Sequence, residues 1–237
     1  MKHSKSQIVL TNIAIVMVLT LLLISTLYTG TTATFVQQNN ALYYGNREGN
    51  SVCLMFNVYQ GTEFIEQIMQ TFKSFDFTTT FFVGGIWVEK NEDLVKKMSD
   101  EGFEIANHGY LHRDSDKLSL NRNREEIVIT ERLIASIIGK EAVKLFAPPS
   151  GAIGSNMFNV CNELEYKVIM WTRDTIDWRD QDSELIHSRA TKNLSAGDLI
   201  LMHPTQSTTD ALAQVLEYIK EQGLIASTVT QTLSNAA

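Results

Sequence analysis

Three short segments hold the residue types from which chemistry could be built. The first is Asn107-His108-Gly109-Tyr110-Leu111-His112. If it turns helically, imidazoles four positions apart share a face and can reach one metal ion at about 2.0–2.1 Å. The plainer alternative is a surface loop with two solvated histidines. The second segment runs from Trp171 to Trp178 and carries Asp174 and Asp177 between the tryptophans. A carboxylate there can orient or charge-stabilise a histidine while the aromatic rings wall a sugar or acyl group. The alternative is an ordinary turn in which Asp177 caps a helix. The third segment, Leu199-Ile200-Leu201-Met202-His203-Pro204, ends an apolar run on a histidine followed by proline. That suits a general acid whose rotamer must be held, or else a satisfied core histidine.

These segments need elements to position them, and the chain beyond residue 50 supplies an alternation. Apolar or β-branched runs recur at Ser51–Phe56, Thr78–Val83, Phe103–Ala106, Lys144–Ala147, Lys167–Trp171, Leu199–Met202 and Leu224–Val229. Between them lie amphipathic stretches at Glu63–Phe75, Asn91–Gly102, Asn123–Ile138, Asn156–Leu164, Ser183–Leu194 and Thr209–Gln222. Strands alternating with helices imply parallel pairing with helical crossovers, in a distorted α/β barrel or a doubly wound sheet. Asn57, His108, Pro148-Pro149, Asp174 and His203 all fall at C-terminal strand ends. One rim fed by five strands favours a barrel, whereas an open sheet would converge only the strands near its switch point.

Composition bounds the partners. The formal charge of −7 divides into +2 from Lys2 and Lys5 and −9 for everything beyond Asn46, and an acidic body speaks against nucleic acid. Cys53 and Cys161 sit in apolar contexts and read as two buried thiols. After the two lysines, Ile8–Tyr28 is an uncharged run of 21 residues. At 1.5 Å per residue it is long enough for a hydrocarbon core of about 30 Å. The expectation is a transmembrane signal anchor in residues 1–30, a polar stalk over 31–50, and an extracytoplasmic domain over 51–237. A cleaved signal peptide is the alternative, and it changes the tether but not the compartment.

Taken in order, these pieces resemble the polysaccharide deacetylases, carbohydrate esterase family 4, over roughly residues 51–233. Glu101 through His112 is similar to the family's metal-binding histidine motif, and Phe146-Ala147-Pro148-Pro149-Ser150-Gly151 to its R-P-P-Y-G loop. Asp174 to Trp178 resembles its D-x-x-D-W segment and Leu201-Met202-His203 its L-x-H motif. The resemblance implies a distorted (β/α)7 barrel that hydrolyses N-acetyl groups of a wall polysaccharide such as peptidoglycan. A divalent metal, usually zinc, would supply the nucleophile and polarise the carbonyl. It further implies His108 and His112 as metal ligands, His203 as general acid, and Asp174 as its tuning carboxylate. Trp178 and Leu201 would line the acetyl pocket, and the Ser150 backbone N–H would serve the oxyanion.

The chain departs from that family where the chemistry is most exacting. Its T-F-D-D-G motif is here Met55-Phe56-Asn57-Val58-Tyr59. Asn57, at the base position, takes no proton near neutral pH, and Val58, at the metal-ligand position, binds no cation. The motif arginine is Ala147. Two readings follow. Either Glu63 replaces the missing carboxylate in a rebuilt metal site, or the domain binds glycan or a partner without turnover. Glu63 is equally an ordinary first-turn helix residue favoured by the macrodipole.

Overall fold

The computed structural model describes residues 13–21 and 40–234, in two units, residues 1–38 and 39–237. In the first, residues 13–21 are helical. Among the described residues no helix is long and apolar enough to cross a membrane. The rest of the anchor expected over Ile8–Tyr28, and residues 31–39 of the expected stalk, lie outside the described residues.

The second unit is built on one curled sheet. Its strands are β1 (Ala41–Leu42), β2 (Ser51–Val58), β3 (Thr80–Val83), β4 (Glu104–Asn107), β5 (Leu145–Phe146), β6 (Lys167–Ile169), β7 (Arg173–Asp174), β8 (Leu199–Met202) and β9 (Ile225–Ala226). They run in the order β1-β6-β5-β4-β3-β2-β8-β7, with every strand pair parallel and β9 attached to the start of β2. The strands β6 and β7 are neighbours in the chain yet lie towards opposite ends of that order. Met170 N–H donates to Leu42 O and Thr172 N–H to Leu199 O, each at 2.8 Å, so three linking residues span from one edge to the other. The sheet must therefore curl, and the result is a parallel half-barrel. Each of the seven apolar runs contains a strand. The last of them, β9, takes no place in the curl, so the expected distorted (β/α)7 barrel takes the form of a curled parallel half-barrel.

Strand alternation sorts the core into two layers. Along β2, Val52, Leu54, Phe56 and Val58 face an outer cluster with Ile65, Ile68, Met69 and Phe72 of helix α1 (Thr62–Ser74). Those four helical positions follow the 3.6-residue period of one buried stripe. Cys53 and Met55 face the other way and pack with Phe82, Ala106, Ala147, Ile169 and Leu199 inside the curl. Fully burying one such large apolar side chain stabilises by about 1.5–3 kcal/mol. Asn57 continues the inner row and Val58 the outer one, a parity with direct consequences for the site.

Residues 40–50, expected as the end of a polar stalk, belong to the folded body. The strand β1 pairs with β6, Gly45 N–H donates to Gly197 O at 2.7 Å, and Arg47 reaches the buried Asp198 at 2.7 Å. A Cβ on Gly45 would stand 2.1 Å from Thr232 O, so only glycine permits this approach. A strand of two residues in a polar stretch carries no periodicity to read.

Candidate functional site

The C-terminal ends of β2, β4, β7 and β8 open onto a cavity of about 550 Å³. It is lined among others by Asn57, His108, His112, Ser150, Asp174, Asp177, Trp178, Leu201 and His203. Sequence reading thus assembles all of its expected residues but Glu63 in one place.

His108 follows β4 and is fully buried. Its Nδ1 lies 2.7 Å from Ala147 O, and since a carbonyl only accepts, Nδ1 carries the proton and Nε2 keeps its lone pair. Burial, followed by the field of His112, pushes its pKa down to about 3. The loop to His112 is fixed by a buried carboxylate absent from the sequence reading. Glu126, on helix α4 (Leu120–Ile138; α2 and α3 being Gly85–Lys90 and Glu92–Asp100), accepts from Tyr110 N at 2.7 Å and Leu111 N at 2.6 Å. Here the chain turns left-handed at Gly109 and again at His112, φ 55°. The segment is a tight loop and not a helix, yet it brings the two imidazoles to 5.0 Å between ring centroids. Tyr59 stacks on the other partner of the pair, 4.4 Å from His112 at 28°.

On the opposite wall, His203 ends β8 and is held by Asp177. Its Nδ1–H donates to Asp177 Oδ1 at 2.7 Å, its backbone N–H to Oδ2 at 2.6 Å, and Thr208 Oγ1 donates to Oδ2 at 2.7 Å. Asp177 is completely buried, so these three bonds are what make its burial tolerable. The arrangement presents His203 Nε2 to the cavity in one fixed orientation. The expectation that Asp174 tunes His203 is corrected here. Asp174 Oδ1 instead accepts from Ile176 N at 2.8 Å, and a left-handed Ile176, φ 55°, turns the chain so that Asp177 takes the histidine. Ser150 also adopts a left-handed backbone, φ 56°, on the rim of the same cavity, and Leu201 forms part of its floor. Trp178 stands 57% exposed at the mouth.

The other half of the expected chemistry is missing. Asn57 is only 5% exposed and its Oδ1 is buried without a protein hydrogen-bond partner. Val58 points into the outer core, and the Ala147 methyl packs inside the curl where the family carries arginine. Glu63, proposed from sequence as a substitute metal ligand, is exposed in the first turn of α1 and lines other surface grooves. Its helical start turns it away from the histidines.

Whether these residues suit a metal follows from the donor set. Two imidazoles bound tetrahedrally at 2.0–2.1 Å stand about 5 Å apart between centroids, so the histidine spacing alone fits. No third ligand accompanies them: among the described residues no group of three or more His, Cys, Asp and Glu is placed to hold a metal ion. The residues present do not fit the three-ligand centre of the family.

Comparison with known proteins agrees with both halves of this picture. The polysaccharide deacetylase family model matches residues 44–169. The chain is 35% identical over 196 residues to the Bacillus subtilis protein YlxY, covering 83% of this chain and 61% of that one. It is 30% identical over 177 residues to a peptidoglycan-N-acetylglucosamine deacetylase of Bacillus cereus, covering 73% and 64%. The chain thus spans somewhat under two thirds of the length of these two relatives. Among solved structures, a CE4 family pseudoenzyme from Bacillus anthracis aligns with TM-score 0.80 at 32% identity, covering 83% of this chain and 70% of that one. A mutant of that pseudoenzyme, described as having restored enzymatic activity, aligns with the same score.

Proposed function

Since this chain belongs to the polysaccharide deacetylase family, we propose that it is a deacetylase-like protein that binds a peptidoglycan-type polymer of amino sugars without hydrolysing it. The observation that carries this reading is the divided site. His203, fixed by Asp177, and the aromatic rim are kept, while the base position is an amide and the metal-ligand position faces the outer core. Deleting general-base assistance alone costs about 10²–10⁴-fold in rate. Loss of a metal ligand and of the motif arginine removes the nucleophile's source as well.

Each retained group has a task in binding. The exposed Trp178 ring and the half-exposed Tyr59 offer flat faces for the apolar side of a pyranose. His203 Nε2 accepts or donates a hydrogen bond at a fixed point, and Ser150 lines the same cavity. The cavity, at about 550 Å³, has room for a sugar unit.

The proposed location is the outer face of the membrane, with the uncharged run Ile8–Tyr28 as tether and Lys2 and Lys5 on the cytoplasmic side. Calorimetric titration with soluble peptidoglycan fragments tests the binding reading. Saturable binding lost in Trp178→Ala supports it, and the absence of any glycan affinity overturns it.

A further inference from the structure

An amino sugar can arrive with its nitrogen acetylated or free, and the lining of the cavity discriminates between the two. Among the described residues no lysine or arginine contributes to that lining, whereas Asp174 and Asp177 do. Both oxygens of Asp177 are committed to His203 and Thr208. Asp174 differs: one oxygen accepts the Ile176 N–H, and among the described residues the other has no hydrogen-bond partner. Across the cavity Asn57 Oδ1 is a buried acceptor with nothing donating to it. Gln60 and Gln181 add neutral amides that can donate as well as accept, so what sets an amine apart is the negative charge and the free acceptors beside the rings of Tyr59, Trp171 and Trp178.

The complementary group is a positively charged donor. A protonated primary amine has three N–H donors and no acceptor, and it is attracted to carboxylates and to aromatic faces. An acetamide is neutral, offers a single N–H, and brings a carbonyl that needs a donor of its own. Arg179, 5.9 Å over the Trp178 ring, feels the field of Asp174 but is hydrogen-bonded to both oxygens of Asp180 and stands outside the lining, so the free Asp174 oxygen stays open to a ligand.

We propose that the cavity takes the free ammonium of a de-N-acetylated, glucosamine-type unit, with Asn57 Oδ1 and Asp174 as its acceptors. This rests on the glycan-binding reading and sharpens it: the protein reads the product of deacetylation. Asp174, unneeded by His203, acquires a role as the charge that selects the amine.

The test is calorimetric titration of the full-length chain in detergent with the tetramers of β-1,4-linked glucosamine and of N-acetylglucosamine. The glucosamine tetramer is expected to bind tighter by about tenfold or more, the worth of one charge-assisted hydrogen bond. Asp174→Asn keeps the acceptor for Ile176 and is expected to abolish that preference, and Asn57→Leu to weaken amine binding. Equal or tighter binding of the acetylated tetramer overturns the inference and leaves glycan binding standing. A preference that survives Asp174→Asn also overturns it, since the overall charge of −7 would then be the attractor. Binding of neither tetramer overturns the inference and the glycan-binding reading together.

Discussion

Asp177 and His203 are joined twice, side chain to side chain at 2.7 Å and carboxylate to backbone N–H at 2.6 Å, with the carboxylate wholly excluded from water. One buried anion thus fixes both the rotamer of the histidine and the end of the strand that carries it. This is the part of the site to which the family resemblance assigns the general acid, kept here as a fixed side chain.

Removing Asp177 leaves three donors without their acceptor, whereas Asp174 makes one bond on a partly exposed turn. Asp177→Ala is expected to destabilise by about 3–5 kcal/mol, since each donor left buried without an acceptor costs about 1–3 kcal/mol. Asp174→Ala should cost under about 1 kcal/mol. At roughly 2–4 °C per kcal/mol for a domain of this size, thermal denaturation separates the two by several degrees at least. Equal effects would return Asp174 to the role that sequence resemblance gave it.

Trp178 is more than half exposed, so Trp178→Ala should leave the melting temperature within about 1–2 °C. Its expected effect is on glycan affinity, a loss of about tenfold or more for an aromatic anchor. A large stability loss with unchanged affinity would remove it from the binding surface.

His108 links stability to acid. Its folded pKa of about 3 lies below the unfolded value of 6.5, so the unfolded chain binds the proton first. The group's penalty is absent above about pH 6.5 and grows as pH falls toward 3, reaching about 3 kcal/mol at pH 4. His108→Gln, whose amide can still donate to Ala147 O, should remove that component. The difference in melting temperature between native and variant is therefore expected to shift in the variant's favour between pH 7 and 4. A difference independent of pH would contradict the assignment.

Adjacent substitutions on β2 should differ because the strand alternates. Asn57→Asp places a nearly buried carboxyl at the cavity wall, where one oxygen already lacks a partner, and should cost about 1–3 kcal/mol. Val58→Asp places it in the outer core, on the strand beside Val83, and should cost about 3 kcal/mol or more. Chemical denaturation of the two variants gives both numbers, and a reversed order would contradict the observed parity.

Much of this architecture is legible in the chain. Each apolar run holds a strand because its β-branched and aromatic residues fit a doubly covered parallel sheet, and the rim follows from what stands at the strand ends. The site's details are less so, for local reasons. Whether Asp174 or Asp177 meets His203 depends on one left-handed residue, Ile176, whose type gives no hint of it. Glu63 is six positions from Asn57, but a helix begins between them and reverses its direction. Contacts across separate loops, such as Tyr59 on His112 and Glu126 on the histidine loop, leave no spacing to read.

In the proposed reading this site holds a glycan but has lost the means to activate water. Acetate release from peptidoglycan and from N-acetylglucosamine oligomers, measured with added zinc against a His203→Ala control, tests it most directly. No release above the control is expected. Zinc-dependent release that His112→Ala and Glu63→Gln each abolish would contradict it, and would establish a rebuilt metal site with Glu63 as its missing carboxylate.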